Sequence, residues 1–214
     1  MNLHNIGRVF CLFLLKIYFK IEVVGKENIE KICSGVVLIS NHRSYLDPVL
    51  LSLYSKRKLY FMAKKELFLV PIFRNIIKLL GAFPVDRNKR DVGAVLEAVE
   101  IAKRGDIVAM FPQGHRSKNI EKDVPKTGFF RIAVASKCCI LPCSLYYRGY
   151  FPRSKIFISY GESVDVFKIL EKNRLNENSV DFKEIKNLTK KVWERVIFLH
   201  KEQEFKYENP VNFI

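Results

Sequence analysis

The stretch 41–48, NHRSYLDP, holds the residues whose types and spacing could best do chemistry. A histidine, His42, follows the apolar run 35–39, and an aspartate, Asp47, comes after four intervening residues. The carboxylate could hold the imidazole in one tautomer while the other ring nitrogen faces a substrate. Such a pair is a Ser-His-Asp triad without its protein nucleophile, so the substrate would have to bring its own hydroxyl. The structural alternative is that Asp47 and Pro48 begin a helix, as an N-cap carboxylate followed by a first-turn proline.

Two further polar stretches also follow apolar runs of strand length. Asp86 and Arg87 come after 83–85, and the turn 112–117, PQGHRS, comes after 107–111. Ligands of open α/β sheets bind at the carboxyl ends of the strands. The arginines in these stretches present a planar fork that suits a phosphate, although a single arginine in such a place is more often a surface residue.

Strand-like and helix-like apolar patterns alternate along the chain, and they predict its elements. The predicted strands are 21–24, 35–40, 58–63, 83–85, 107–111, 139–147 (broken by Pro142) and 155–160. The predicted helices are 48–55, 71–80, 91–104, 127–137 and one from 181 onward, with 171–179 as a loop. Two helices carry apolar stripes, formed by Val92, Val95, Ala98, Val99 and Ala102 and by Phe182, Ile185, Leu188, Val192, Val196 and Leu199. We therefore predict an α/β fold, a single domain with a central mixed, largely parallel sheet flanked by helices.

The N-terminal segment 1–23 is predicted to stand apart from this domain, which occupies 24–214. Its apolar part, 9–19, would be about 17 Å long as a helix, short of the roughly 30 Å hydrocarbon core of a bilayer. No small-residue cleavage site follows it, so neither a transmembrane helix nor a signal peptide fits. Aromatic and aliphatic bulk flanked by cations favours a helix lying in the membrane interface over one packed on the domain.

The net charge and the cysteine content limit the classes of partner and ligand that the protein could bind. A formal net charge of +15 over 214 residues implies an anionic partner, such as nucleic acid, an anionic membrane or an acidic carrier protein. The five cysteines form no CxxC pair, and their apolar neighbours predict buried free thiols in a reducing compartment. A zinc site in 138–143 lacks a fourth ligand, and we expect neither a metal nor a cofactor.

Four blocks of the sequence occur in a recognisable order. They are 41–47 (NHRSYLD, which includes Ser44), 81–87 (GAFPVDR), 111–117 (FPQGHRS) and 141–143 (LPC). With these blocks the chain resembles the glycerolipid acyltransferase family, specifically the 1-acyl-glycerol-3-phosphate acyltransferases. The elements 24–28 and 126–128 also fit, and the resemblance covers about 24–162. The order of the blocks favours the chemical interpretation of His42 over a helix start.

The resemblance implies a reaction and a site. His42 would be the general base on the free hydroxyl of a lysophospholipid, with Asp47 orienting it, and the oxygen would attack the thioester of acyl-CoA or acyl-carrier protein directly. The product would be phosphatidic acid, made in phospholipid biosynthesis at the cytoplasmic face of the cell membrane by a peripheral or monotopic acyltransferase domain. Arg87 and Arg116 would hold the acceptor's phosphate. The remaining substrate-binding residues would be Asn41, Ser44, Gln113, Gly114 and Pro142, with Pro142 on the acyl-donor side.

The sequence also departs from the family pattern. Glutamate and threonine usually stand where this chain has Gln113 and His115, so an acyltransferase acting on a different lysophospholipid or lipid hydroxyl is the alternative function. Between Val124 and Gly161 the chain has basic residues and no acidic one. This stretch could bind anionic headgroups, an acidic carrier or the phosphates of coenzyme A, or it could simply be a solvated surface. Two other classes, a catalytically silent lipid-binding relative and a nucleic-acid-binding domain, are less favoured. The second rests on charge alone, so no nucleic acid is expected as a partner.

Overall fold

The computed structural model describes residues 17–86, 91–149, 151–173, 175 and 181–209. Most of the predicted N-terminal segment (1–16), Arg87, and the larger part of the predicted loop 171–179 therefore lie outside the described residues.

Strands and helices alternate through the described part of the chain. The strands are β1 (Lys20–Val24), β2 (Val36–Ser40), β3 (Leu59–Lys64), β4 (Ala82–Val85), β5 (Ile107–Met110), β6 (Cys139–Tyr146) and β7 (Lys155–Tyr160). The helices are α1 (Lys26–Glu30), α2 (Asp47–Tyr54), α3 (Pro71–Leu79), α4 (Val92–Lys103), α5 (Gly128–Ser136), α6 (Val166–Lys172) and α7 (Phe182–Glu208). A 3₁₀ helix, Lys65–Leu69, joins β3 to α3.

The strands form one sheet in the order β1-β7-β6-β2-β5-β3-β4. Every neighbouring pair is parallel except β6 and β7, which confirms the predicted mixed, largely parallel sheet. β2, β3, β4, β5 and β6 consequently end at one edge, which we call the His42 edge because His42 follows β2 there. β1 and β7 run the other way, so they begin at the His42 edge and end at the opposite edge.

Two apolar cores lie on the two faces of this sheet. β2 is buried along its whole length, with Val37 and Ile39 in one core and Val36 and Leu38 in the other. The first core is closed by α4, α5, α6 and α7, and the second by α1 and α2. Alternation of side chains between the faces of a strand explains how one continuous apolar run serves both cores.

Several predictions of elements are corrected by the structure. The helices α1 and α6 and the 3₁₀ helix were not predicted, because helices this short carry little periodic signal. β1 pairs with β7 from Lys20 onward, so a domain boundary after residue 23 would cut a strand of the sheet.

β6 runs unbroken through Pro142, against the prediction of a break. The Pro142 carbonyl accepts from the Gly161 N–H at 2.8 Å, so the backbone N of Pro142 faces the same side, towards β7. The β6–β7 ladder ends at the pair Cys143–Tyr160, one residue away. The missing N–H of proline is therefore not needed by the sheet.

The predicted apolar stripes are partly wrong. Val92, Val95 and Phe182 are exposed, whereas Ala98, Val99 and Ala102 of the predicted α4 stripe are buried, together with Ala94 and Ile101, which were not predicted. The remaining stripe of α7 does face the core at Leu188, Val192 and Val196.

The described cysteines are free, but only some are buried. Cys33 is exposed, Cys138 and Cys139 are half-buried, and Cys143 is buried, which raises the pKa of its thiol; Cys11 lies outside the described residues. Within those residues no group of three or more His, Cys, Asp or Glu side chains is arranged to hold a metal. None of the helices that the structure describes is long and apolar enough to cross a membrane.

Candidate active site

The loop that carries His42 is tied to β6 as soon as it leaves β2. The buried Asn41 carboxamide donates to the Leu145 carbonyl at 2.9 Å and accepts from the Leu145 N–H at 2.8 Å. Both ends of the amide are thus used inside the protein, and the predicted contact of Asn41 with substrate stays a prediction. Its role is to fix where the loop begins.

Asp47 is the first residue of α2, and its side chain is fully buried. Its Oδ2 accepts from His42 Nδ1 at 2.8 Å and from the backbone N–H groups of Arg43 at 2.6 Å and Ser44 at 2.8 Å. Its Oδ1 accepts from the Tyr147 hydroxyl at 2.8 Å. The carboxylate therefore points back into the loop and makes no N-cap hydrogen bond to α2.

These bonds determine which nitrogen of His42 carries the proton. Oδ2 of Asp47 already accepts from two backbone N–H groups, so it acts as an ionised acceptor and Nδ1 of His42 must donate. Nε2 then carries the lone pair, as a general base requires. The imidazole also stacks on Phe111, with ring centroids 4.2 Å apart and planes 19° apart. One hydrogen bond and one stacked ring together fix its orientation.

The turn after β5 is joined to the His42 loop through Gln113. Its Oε1 accepts from the His42 N–H at 2.6 Å, its Nε2 donates to Asp123, and the side chain is buried. The Ser117 N–H also donates to the His42 carbonyl at 2.8 Å. Gln113 thus supports the His42 loop through its side chain, and its predicted contact with substrate stays a prediction. A glutamine suits this place because it can accept from a backbone N–H and donate to Asp123 at once, which an ionised glutamate cannot do.

Ser44 and Gly114 shape the backbone of the two loops. Ser44 donates its N–H to Asp47 and accepts from the Leu46 N–H at 3.1 Å through its hydroxyl. Gly114 has φ +75°, and a Cβ there would lie 2.8 Å from Nζ of Lys126. The positive φ explains the need for glycine, and the close approach of the Lys126 ammonium to this turn adds a cation beside the site.

His115 is held by its own turn. Its Nδ1 lies 3.0 Å from the Gln113 carbonyl oxygen and its Nε2 lies 3.5 Å from Asp123 Oδ1, while most of the ring is exposed. These contacts agree with a loop histidine.

Two arginines stack on aromatic rings at the His42 loop. The exposed Arg116 guanidinium lies 3.7 Å from the ring centroid of Tyr45, and that of Arg43 lies 5.1 Å from the centroid of Tyr147. Arg116 therefore lies beside the His42 loop, and its predicted role as a phosphate ligand stays a prediction. Arg87 lies outside the described residues, so its predicted role stays a prediction.

Pro142 lies within β6 and does not join the residues around His42. It is paired with Ile39 inside the sheet and lines a separate cleft of about 570 Å³ between α7, the Gly25 turn and Gly161. Its predicted place beside the acyl donor is not supported by this position.

A buried histidine, His200, lies behind the site, where α7 packs on β6. His200 Nδ1 lies 3.2 Å from Ser144 Oγ, and its ring contacts Tyr146 edge-on. Burial, and secondarily the positive charge of Arg43, lowers the pKa of His200 to about 4. The imidazole is therefore neutral near neutral pH and acts as a packing and hydrogen-bonding group.

Sequence reasoning missed four residues that complete the site: Phe111, Asp123, Lys126 and Tyr147. Phe111 belongs to the block 111–117 and Lys126 to the element 126–128, but the sequence assigned neither residue a function. Tyr147 is 100 residues from Asp47 along the chain, so no local spacing could have paired them.

Comparison with known proteins agrees with this arrangement. A family model described as Acyltransferase matches residues 20–146, more than half of the chain. The chain belongs to the acyltransferase family. The matched span includes His42, Asp47 and Arg116, and it starts at the first residue of β1.

Several named relatives resemble this acyltransferase. The 1-acyl-sn-glycerol-3-phosphate acyltransferase of Streptococcus pneumoniae is 34% identical over 143 residues, covering 64% of this chain and 53% of that protein. The protein of the same name from Bacillus subtilis is 31% identical over 165 residues, covering 72% and 80%. The crystal structure of the 1-acyl-sn-glycerophosphate (LPA) acyltransferase PlsC from Thermotoga maritima matches 93% of this chain and 83% of that chain, with TM-score 0.63 and 25% identity. The acyltransferase thus spans about half the length of the Streptococcus protein and 41% of a chloroplastic relative from Arabidopsis thaliana.

Proposed function

We propose that this acyltransferase moves a fatty acyl group from an acyl thioester, acyl-CoA or acyl-carrier protein, to the free hydroxyl of 1-acyl-glycerol-3-phosphate. The product is phosphatidic acid. The observation that carries the proposal is His42, held by the buried Asp47 with Nε2 as its basic nitrogen. The names of the Streptococcus and Bacillus relatives support the acceptor.

The reaction begins with a proton transfer. Nε2 of His42 takes the proton of the acceptor hydroxyl as its oxygen attacks the thioester carbonyl carbon. The imidazolium that forms is stabilised by the ionised Asp47, whose charge is in turn stabilised by hydrogen bonds from the backbone N–H groups of Arg43 and Ser44 and from the Tyr147 hydroxyl. When the tetrahedral intermediate collapses, the C–S bond breaks and His42 returns the proton to the leaving thiolate.

No covalent acyl-enzyme is needed in this mechanism. Among the described residues the hydrogen-bonded partner of the His42 ring is Asp47, and no serine or cysteine bonds to it. The incoming hydroxyl takes the place of a protein nucleophile. Arg116, with its planar fork, supplies the acceptor's phosphate with a bidentate partner.

The proposed place of the reaction is the cytoplasmic face of the cell membrane. The free thiols of Cys138, Cys139 and Cys143 fit a reducing compartment. The excess of cations, +15 overall, fits the anionic cytoplasmic leaflet.

An acyl-transfer assay with purified protein tests the mechanism. We expect His42→Ala to lower kcat by about 10²–10⁴-fold, the usual contribution of a general base. His115→Ala is the matched control, because that histidine is exposed and bonded within its own turn. Retained turnover in the His42 variant, with the control equally active, would contradict the role of His42.

A panel of acceptors and donors tests the substrates. Lysophosphatidate should be preferred over lysophosphatidylcholine and lysophosphatidylglycerol, because Arg116 grips a phosphomonoester best. A preference for an acceptor without a phosphomonoester would move the assignment to the alternative, another lysophospholipid. Parallel assays with acyl-CoA and acyl-carrier protein identify the donor.

A further inference from the structure

Large apolar side chains are exposed on the segments that surround His42. Phe151 is 74% exposed in the β6–β7 loop, and Leu69 is 79% exposed at the end of the 3₁₀ helix that follows β3. Ile17, 63% exposed, comes just before β1. β6 and β3 end at the His42 edge and β1 begins there, so all three side chains leave the sheet at this edge.

These side chains form two patches, one on each side of the His42 loop. In the first, defined as Ile17, Tyr18 and Phe151, the two segments are joined because the Arg153 N–H donates to the Tyr18 carbonyl at 2.6 Å. The second is defined as Leu69 and Val70. Its 3₁₀ helix is anchored at the same edge by Lys65, whose Nζ lies 2.7 Å from Asp86 at the end of β4.

The two patches are separated by several strands of the sheet, so they could contact a flat surface at two points. β7 and β3 are separated by four strand intervals in the order β7-β6-β2-β5-β3. At about 4.8 Å per interval, the strands β7 and β3 lie about 19 Å apart, and β2, which leads into the His42 loop, lies between them. Tyr45, which is also exposed, projects from that loop and packs against Arg116.

Cations accompany each patch. The first patch is flanked by the exposed Lys20 and Arg153, whereas Lys64 and Lys65 beside the second patch are paired with Glu66 and Asp86. Apolar side chains among cations match the surface of an anionic bilayer, where the former enter the headgroup region and the latter meet phosphates. A second copy of a chain with charge +15 is a poorer occupant, because cations of both copies would meet.

We propose that the His42 edge docks on an anionic lipid bilayer through these two patches, with Phe151 and Leu69 as the principal contacts. The inference rests on the proposed function in one respect, since a lysolipid acceptor resides in the bilayer and docking would present its headgroup to His42. Binding itself does not require the reaction, so the two can fail separately.

Vesicle cosedimentation of the full chain tests the docking. Vesicles of phosphatidylcholine with phosphatidylglycerol are titrated against wild type, Phe151→Ser, Leu69→Ser and the double variant. Each single substitution should weaken binding about tenfold, the loss expected when one large apolar side chain no longer leaves water. Phe198→Ser is the matched control: Phe198 is 63% exposed, but it lines the cleft at the opposite edge with Gly25 and Gly161. It should bind as wild type does, and all variants should melt at the same temperature.

The outcomes separate docking from catalysis. Wild-type binding by both Phe151→Ser and Leu69→Ser would overturn the docking, and so would a dimer that these substitutions dissociate without changing vesicle binding. Normal vesicle binding by His42→Ala, with acyl transfer lost, would support docking as independent of the chemistry. If wild type transferred no acyl group in detergent micelles but bound vesicles through Phe151, the proposed function would fail and the docking would stand.

Discussion

Asp47 is the residue on which the site depends most directly. Its carboxylate is fully buried and accepts four hydrogen bonds, from His42, Arg43, Ser44 and Tyr147. A buried charge is tolerated only when it is well bonded. The same bonds prevent rotation of the carboxylate, so the imidazole that it holds is fixed as well.

Tyr147 is therefore expected to act as a positioning residue. Tyr147→Phe removes the Oδ1 bond, which lets the carboxylate rotate and misorient His42. We expect kcat to fall about tenfold, in line with a lost hydrogen bond to a charged group, while KM stays within about twofold. Steady-state kinetics measure the split between the two constants. Tyr146→Phe is the control, since the Tyr146 hydroxyl donates to Glu204; equal losses in both variants would deny Tyr147 this role.

The neighbouring Asp123 explains why glutamine, and not the glutamate usual in the family, stands at position 113. Gln113→Glu would place a second carboxylate against Asp123 in a buried position, where one of the two charges lacks a partner. The free energy of unfolding should fall by about 3 kcal/mol. Urea denaturation measures it. Adding Asp123→Asn should restore most of the loss, and a double variant no more stable than Gln113→Glu would show that the pair is not coupled.

At the scale of elements, α7 depends on a neutral histidine for its contact with β6. The folded protein binds a proton at His200 with pKa about 4, against 6.5 for an unperturbed histidine. Between these values the unfolded chain holds more protons than the folded one. Stability is thus fully present above about pH 6.5 and is lost as the pH falls towards about 4.

This linkage predicts a pH-dependent loss of stability. Because of His200, the free energy of unfolding should fall by about 3 kcal/mol when the pH is lowered from about 7 to about 4. His200→Gln cannot titrate and should have a flatter profile over the same range. Urea midpoints of both proteins across this range measure the difference. Parallel profiles would show that His200 stays accessible to protons in the folded state.

At the scale of the whole molecule, much of the sheet was predictable from sequence. Continuous apolar runs such as Val36–Ser40 mark strands buried on both faces, and the helix predicted from 181 onward does begin there, with a capping box of Asp181 and Glu184. The buried face of α4 was not predictable, because apolar residues occur nearly all round it and only its partners decide which are covered. Leu96, for example, is 58% exposed.

Only the site residues that lie close together in the sequence were predictable. His42 and Asp47 lie in one loop, and their spacing reveals the pair. The partners Tyr147 and Asp123 reach the loop only because β6 and β5 flank β2 in the sheet. Strand order is set by the whole chain, so a pattern within a few residues cannot show it.

The shared strands also predict that the two cores unfold together. Trp193, the one tryptophan of the sequence, lies in the core beneath α7, whereas Leu50 of α2 is buried in the other core. β2 contributes side chains to both, so loss of one core should break the other. Leu50→Ala should lower stability by about 2–5 kcal/mol. Tryptophan fluorescence and far-ultraviolet circular dichroism should then shift to the same lower urea midpoint. An unchanged fluorescence midpoint beside a shifted dichroism midpoint would mean that the two faces of the sheet unfold as separate units.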